Sequence, residues 1–286
     1  MSSRSAPILF AISGLSQYLG AAMGVSLFAL LPAGGVAWWR LFLGALFLVP
    51  LWRPWKQKWS VKNLATSCLF GVVLGLMNIF FYEAIARIPL GAAVSIEFIG
   101  PVVVALVGGR GVRSRIAAML ALAGVTSIGG WGIDLRDTSV ITGALFALAA
   151  GLMWAVYIVL GQRIASRRSG VASLAVGCLF GALVLAPFMA PQAFGVQLSG
   201  TLLLMLAGVA LLSTVLPYSV EAVALGRLSP VVFALLTALL PATSTIVGFI
   251  VLKQTPIPGE LVGLLFVSVA VWLASTGRSD KPSAQV

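Results

Sequence analysis

Residues 41–50 read LFLGALFLVP, and 137 positions later residues 178–187 read CLFGALVLAP. The same offset lays Gly14-Leu15 on Gly151-Leu152 and Gly71 on Gly208. With small insertions the match continues: Glu83-Ala84-Ile85-Ala86 meets Glu221-Ala222-Val223-Ala224, Arg87 meets Arg227, and Pro101 meets Pro241. The pattern predicts one design used twice, over residues 1–138 and 139–276, followed by a polar tail at 277–286.

What each copy is made of follows from composition. Of 286 residues, 60% are hydrophobic and only 9% charged, and the mean hydropathy is +1.10; a soluble domain carries about a quarter charged residues. The apolar runs are long and do not alternate, which excludes barrel strands and leaves membrane helices of about 20 residues. Breaks in the runs divide the chain into ten predicted spans, roughly 7–31, 35–52, 63–86, 89–108, 116–133, 140–162, 171–190, 200–225, 229–252 and 259–276. The expectation is an all-α integral membrane protein.

The first apolar run is about 25 residues long, beyond the 7–15 of a signal-peptide core, and reads as an uncleaved helix. Loops such as RPWKQKWSVK, GGRGVRSR and ASRRSG are too short to hold a soluble catalytic domain, and the tail GRSDKPSAQV reads as disordered.

Five spans per copy is an odd number, so the second copy must sit inverted relative to the first. Inverted repeats are the architecture of secondary transporters, with a substrate site near the midplane at the repeat interface. Charge placement agrees with such a topology. With the N-terminus inside, 14 of the 18 Lys and Arg fall in inner segments and three, Arg87, Arg136 and Lys253, in outer ones. Arg40 lies within a span. Cytoplasmic loops collect cations, so both termini are expected in the cytoplasm. The net charge of +11 then reflects topology and anionic lipid rather than nucleic acid.

Several classes of chemistry are excluded. The chain has no histidine, Walker loop, GxSxG motif or cysteine-rich metal pattern, so ATP hydrolysis in this chain is ruled out and no catalysis, cofactor or metal is expected. Cys68 and Cys178 lie in different spans without ligand spacing. Four GxxxG patterns, starting at Gly20, Gly71, Gly177 and Gly259, read as sites of close helix packing.

Residues shared by the two copies serve the scaffold; a polar residue present in one copy is the better functional candidate. Arg40 faces Gly177 in the alignment, and Glu97 faces Thr237. Glu97 stands eight residues after Pro89, about 12 Å into an apolar core about 30 Å thick. A charge there costs at least about 2.5 kcal/mol, and such residues usually face a cavity or a partner. Pro101 cannot return an N–H to the Glu97 carbonyl, so the span should bend at the carboxylate. Glu97 then reads as a proton carrier or as a fixed anion for a substrate ammonium. The structural alternatives are an ion pair with Arg40 or a protonated glutamic acid bonding a neighbouring helix.

Arg40 has two readings of its own. It either snorkels to the interface beside Trp38 and Trp39 or clamps a substrate carboxylate. Gln17, Tyr18, Asn78, Thr237, Trp154, Tyr157, Ser213, Thr214 and Tyr218 are further cavity candidates. Glu83, Glu221, Arg87 and Arg227 are expected near the mouths, as gating or structural groups, and Pro101, Pro217 and Pro241 as helix breakers.

These residues resemble a known family. NIFFYEAIARIPLGAAVSIEFIGPVVVAL (78–106), GLMWAVYIVLGQRIA (151–165) and LLSTVLPYSVEAVALGRL (211–228) look like the EamA branch of the drug/metabolite transporter superfamily, in particular its RhtA-type threonine/homoserine exporters. The most specific pieces are Pro89-Leu90-Gly91, Glu97-Phe98 with Gly100-Pro101, Trp154 with Tyr157, Gly161-Gln162-Arg163, and Leu216-Pro217-Tyr218-Ser219 with Glu221.

The resemblance implies ten helices in two inverted halves and efflux of small neutral amino acids across a bacterial inner membrane, driven by the proton gradient. Where such relatives usually carry Glu-Pro and Gly-Glu, this chain has Leu240-Pro241 and Lys253-Gln254, which leaves Glu97 as the main acidic element at the midplane. A drug or other metabolite exporter is the rival within transport, and a membrane scaffold or receptor the rival outside it.

Overall fold

The computed structural model describes residues 6–108, 112–131, 136–165, 170–225 and 240–276, and within these every regular element is helical. In chain order the helices are α1 (Ala6–Ser26), α2 (Ala33–Trp52), α3 (Val61–Ile85), α4 (Leu90–Glu97), α5 (Ile99–Gly108), α6 (Val112–Trp131), α7 (Thr138–Ala165) and α8 (Gly170–Ala193). They are followed by α9 (Gly200–Ala210), a π-helical turn (Leu211–Val215), α10 (Leu216–Leu225), α11 (Leu240–Ile250) and α12 (Pro258–Thr276). Six stretches are long and apolar enough to cross a membrane by length and composition: Ala11–Ala29, Ala33–Trp52, Val61–Ile85, Thr138–Ile164, Gly170–Ala193 and Gly200–Glu221. The first part of the predicted ninth span, with Thr237, lies outside the described residues, as do Arg227 just before it and the tail.

Local sequence explains the ends and breaks. Ser60 and Ser199 cap α3 and α9, each accepting the N–H three residues on (Asn63 and Leu202, both 3.2 Å). Pro32 and Pro89, both with extended backbone, open α2 and α4. The bend expected at Glu97 is present: α4 ends there, Phe98 carries the break, and α5 resumes at Ile99 with Pro101 in its first turn.

The helices pack in matched couples. α2 lies along α8, α6 along α12 and α4 against α11, each joining a first-copy span to its aligned partner in the second. Three further contacts have counterparts: α3 on α7 is mirrored by the α9–α10 rod on α1, α3 on α8 by that rod on α2, and α4–α5 on α7 by α11 on α1.

Glycine allows the closest approach. A Cβ on Gly71 would fall on the Gly177 carbonyl oxygen, and one on Gly181 on that of Gly71, so the α3–α8 crossing is backbone against backbone. The opposite face of the bundle is apolar and open. On α7 it runs through Leu145, Leu152, Val156 and Val159, all exposed, a surface suited to lipid rather than to water.

Candidate functional site

The break in one helix and the π-turn in another meet at the same place. Gln17 and Tyr18 from α1, Arg40 from α2, Met77, Asn78 and Phe81 from α3, Glu97 from α4, Trp154 from α7, and Tyr218 and Glu221 from α10 line a cavity of about 20 Å³. That is space for roughly one water. Eight residues singled out by sequence for other or similar reasons therefore share one wall.

Arg40 is buried, only 2% exposed, which overturns the snorkelling alternative. Trp38 and Trp39 turn inward with it, their indole N–H groups donating to the carbonyls of Ala182 and Ala193 (both 2.9 Å). Two tryptophans bonded to α8 fix this turn of α2 in the protein interior, and the guanidinium has no route to the interface. It is held instead by Thr214 Oγ1 (2.8 Å from Nε), by the Ser213 carbonyl, and by Tyr218 Oη at 3.4 Å. The rings of Tyr82 and Tyr218 lie 5.4 and 5.8 Å from its centre, within cation–π range.

The sequence explains that cradle. Pro217 has no N–H to give the carbonyl four residues back, which is Ser213's, and that freed oxygen accepts from Arg40. The chain accommodates the proline with the π-turn, Leu216 N–H bonding Leu211 O, a feature that often marks functional sites.

The π-turn also corrects the placement of Glu221. Expected near a mouth, it is buried and lines the central cavity. An inserted residue rotates everything that follows on the helix, which carries Tyr218 and Glu221, three apart, onto the inward face. Tyr157 donates to Glu221 (3.3 Å) and stacks on Phe70 at 4.7 Å between ring centres. Glu97 is therefore one of two buried carboxylates at the cavity, not its sole acid.

Glu97 itself is 8% exposed. No ion pair within 4.0 Å joins it to Arg40, whereas Arg87 is so paired with Glu83. Phe98, beside Glu97, sets its ring edge-on to Trp154 at 4.7 Å. The backbone at Glu97 leans on α7, where a Cβ on Gly151 would come within 2.6 Å of the Glu97 carbonyl oxygen.

Glu83 and Arg87 stand away from this centre. Arg87 binds the Glu83 carboxylate (2.5 Å) and faces the Phe146 ring, while Glu83 accepts from Gly34 N–H (3.0 Å), tying α3 to the start of α2. Gln254, at the departure from the usual pattern of the family, accepts Leu90 N–H (3.0 Å) and so caps α4.

Tyr82, Phe81 and Met77 were not among the sequence candidates. Phe81 and Tyr82 follow Asn78 by three and four residues, so helical spacing from Asn78 was a signal for both. A second cavity, about 340 Å³, is lined by Gln57, Trp59, Lys62, Thr66, Ser67, Leu160, Arg163, Ile164 and Ser173 among others. The Phe70–Tyr157 stack, one turn further along α3 and α7, stands between it and the centre.

Comparison with known proteins agrees with this arrangement. Residues 141–276 match the EamA-like transporter family. The threonine/homoserine exporter RhtA of Salmonella typhimurium is 38% identical over 269 residues, 94% of this chain and 90% of that protein. RhtA of Escherichia coli K12 is 38% identical over 264 residues, 92% and 88% of the two chains. A crystal structure of 19% identity superposes with a TM-score of 0.65 over 97% of this chain and 100% of its own, which is a likeness of fold. Identity near two-fifths along almost the whole length, with the two carboxylates and the arginine in one cavity, leaves one assignment: the chain is a membrane protein belonging to the EamA-like transporter family, whose members are transporters rather than enzymes.

Proposed function

We propose that this protein exports small neutral amino acids, threonine and homoserine among them, across the bacterial inner membrane. It does so by alternating access of two inverted five-helix halves, 1–138 and 139–276, with both termini cytoplasmic and protons as the counter-moving ion. One observation carries the reading. Arg40 and Glu97, opposite in charge and both buried, line the same cavity without pairing with each other. A zwitterion supplies the missing partners, its carboxylate for the guanidinium and its ammonium for Glu97. The names of the relatives supply the substrate class, and the matched helix couples support the two-halves description.

The cavity is too small for an amino acid in this conformation, so a substrate enters only when the walls separate. The Phe70–Tyr157 stack is the natural inner barrier: parting it would join the centre to the 340 Å³ vestibule, which in the proposed topology faces the cytoplasm. Glu97, alone or with Glu221, would exchange the proton when substrate leaves.

Proteoliposomes decide the matter. The purified protein should exchange labelled threonine or homoserine in counterflow and should accumulate either one against its gradient when an opposing pH difference is imposed. Glu97→Gln keeps shape and loses ionisation, so it should lose at least about tenfold of the pH-driven accumulation. Unchanged pH-driven transport by that variant removes Glu97 from coupling. An absence of counterflow with any amino acid overturns the whole reading in favour of another solute.

A further inference from the structure

Asn78 holds a polar group of the cavity wall whose bonding is incomplete. Its side chain is 2% exposed, it lines the cavity, and its amide nitrogen has no hydrogen-bond partner among the described residues. The orientation of the amide follows from its neighbours. Tyr218 Oη accepts from Arg40 (3.4 Å), so its own proton goes to Asn78 Oδ1 (3.2 Å). A phenol that accepts a cation's N–H and donates onward leaves the amide oxygen as acceptor and Nδ2 as the free donor.

A buried donor without a partner is costly, and here it faces a space that admits one water. The wall is mixed: Met77 and Phe81 on the same helix and Trp154 are apolar, while Gln17, Tyr18, Glu97 and Glu221 are polar. A neutral donor matches a neutral acceptor on a substrate side chain. It does not match the carboxylate, for which Arg40 still has N–H groups beyond those given to Thr214, Ser213 and Tyr218. Arg40 and Asn78 share the Tyr218 oxygen, so the free donor lies beside the seat of the carboxylate. That is where a hydroxyl on the β- or γ-carbon of an amino acid would fall.

We propose that Asn78 is the specificity-determining residue of this site, donating its Nδ2–H to the side-chain hydroxyl of the substrate and so selecting hydroxylated over alkyl amino acids. The proposal rests on the zwitterion reading above. An alkyl side chain of the same size displaces the water and returns no acceptor, leaving the donor orphaned. A hydroxyl replaces the water bond for bond.

The test compares isosteres in proteoliposome counterflow: threonine with valine, and homoserine with norvaline. Wild type should favour each hydroxylated member by at least about tenfold in kcat/KM. Asn78→Leu should bring that ratio to within about threefold of unity. Asn78→Ala, a milder change that readmits a water, should fall between.

Equal handling of the isosteres by wild type overturns the proposal whatever the variants do, and so does a variant that keeps the wild-type ratio. If both variants lose threonine and valine in equal proportion, Asn78 serves the common amino-acid moiety and the proposal also fails. These results leave amino-acid transport standing. Absence of counterflow with all four solutes is the separate failure of the underlying reading.

Discussion

Two arginine–glutamate couples divide the molecule between scaffold and site. Glu83, in the last turn of α3, and Arg87, just past its end, are partly exposed and meet at 2.5 Å. Arg40 and Glu97 come from α2 and α4, are both buried, and line one cavity without an ion pair between them. The outer couple satisfies itself and fastens α3 to α2 through Gly34. The inner cation is satisfied by neutral groups, a hydroxyl, a carbonyl and two aromatic rings. A salt bridge uses up the chemistry of both partners; a cation held by neutral acceptors keeps its charge available to a ligand.

The largest way to break the contrast is Arg40→Leu. The variant orphans the acceptors on Ser213, Thr214 and Tyr218 but also relieves the burial of a cation that has no anionic partner, so the protein should still be recovered folded from the membrane. Transport should fall by at least about thirtyfold, since losing one partner of a buried charged contact costs about 2–5 kcal/mol. The measurement is threonine counterflow beside thermal stability in detergent. Loss of transport with stability held within a few degrees separates a ligand's cation from a structural one.

Thr214→Val should act through the same cation with smaller effect. Valine keeps the shape of threonine and removes the oxygen that holds Arg40 Nε, leaving the Ser213 carbonyl and Tyr218 as anchors. One hydrogen bond to a charged group is worth about 1.5–3 kcal/mol, so kcat/KM for threonine should drop about tenfold, mostly through KM. Thr214→Ser, which restores an oxygen, should recover most of it. A drop that serine does not repair would mean that the threonine methyl, packed against Gly44, is what matters.

How much of this was legible beforehand differs between the couples. The repeat located the helices, and its asymmetries pointed to Arg40 and Glu97 because a charge without a counterpart stands out in an alignment. The break at Phe98 followed from Pro101 by covalent chemistry alone. The same rule applied to Pro217 names Ser213 as the owner of a freed carbonyl, but not its recipient. Arg40 and Ser213 are 173 residues apart, and only the packing of α2 against the π-turn joins them. Glu221 was misplaced because its nearness to the end of the span was equated with access to water, whereas Tyr157 from α7 bonds it and closes over it. Asn78 was one polar residue among many until its orphaned nitrogen was seen.

The smallest expected effect sharpens the contrast from its other side. Glu83→Gln keeps an oxygen to accept from Gly34 N–H and removes only the ionic part of the contact with Arg87. The side chains of Arg87 and Glu83 are 30% and 16% exposed, and pairs this accessible contribute about 0–1 kcal/mol, weakened further by salt. Threonine counterflow should stay within about threefold of wild type, and stability in detergent should fall by no more than about 1 kcal/mol, less at high ionic strength. A much larger loss of transport at unchanged stability would place this couple in the transport cycle, as a closure that must break and re-form. The division between a self-satisfied outer pair and an open inner one would then be a division between gate and site.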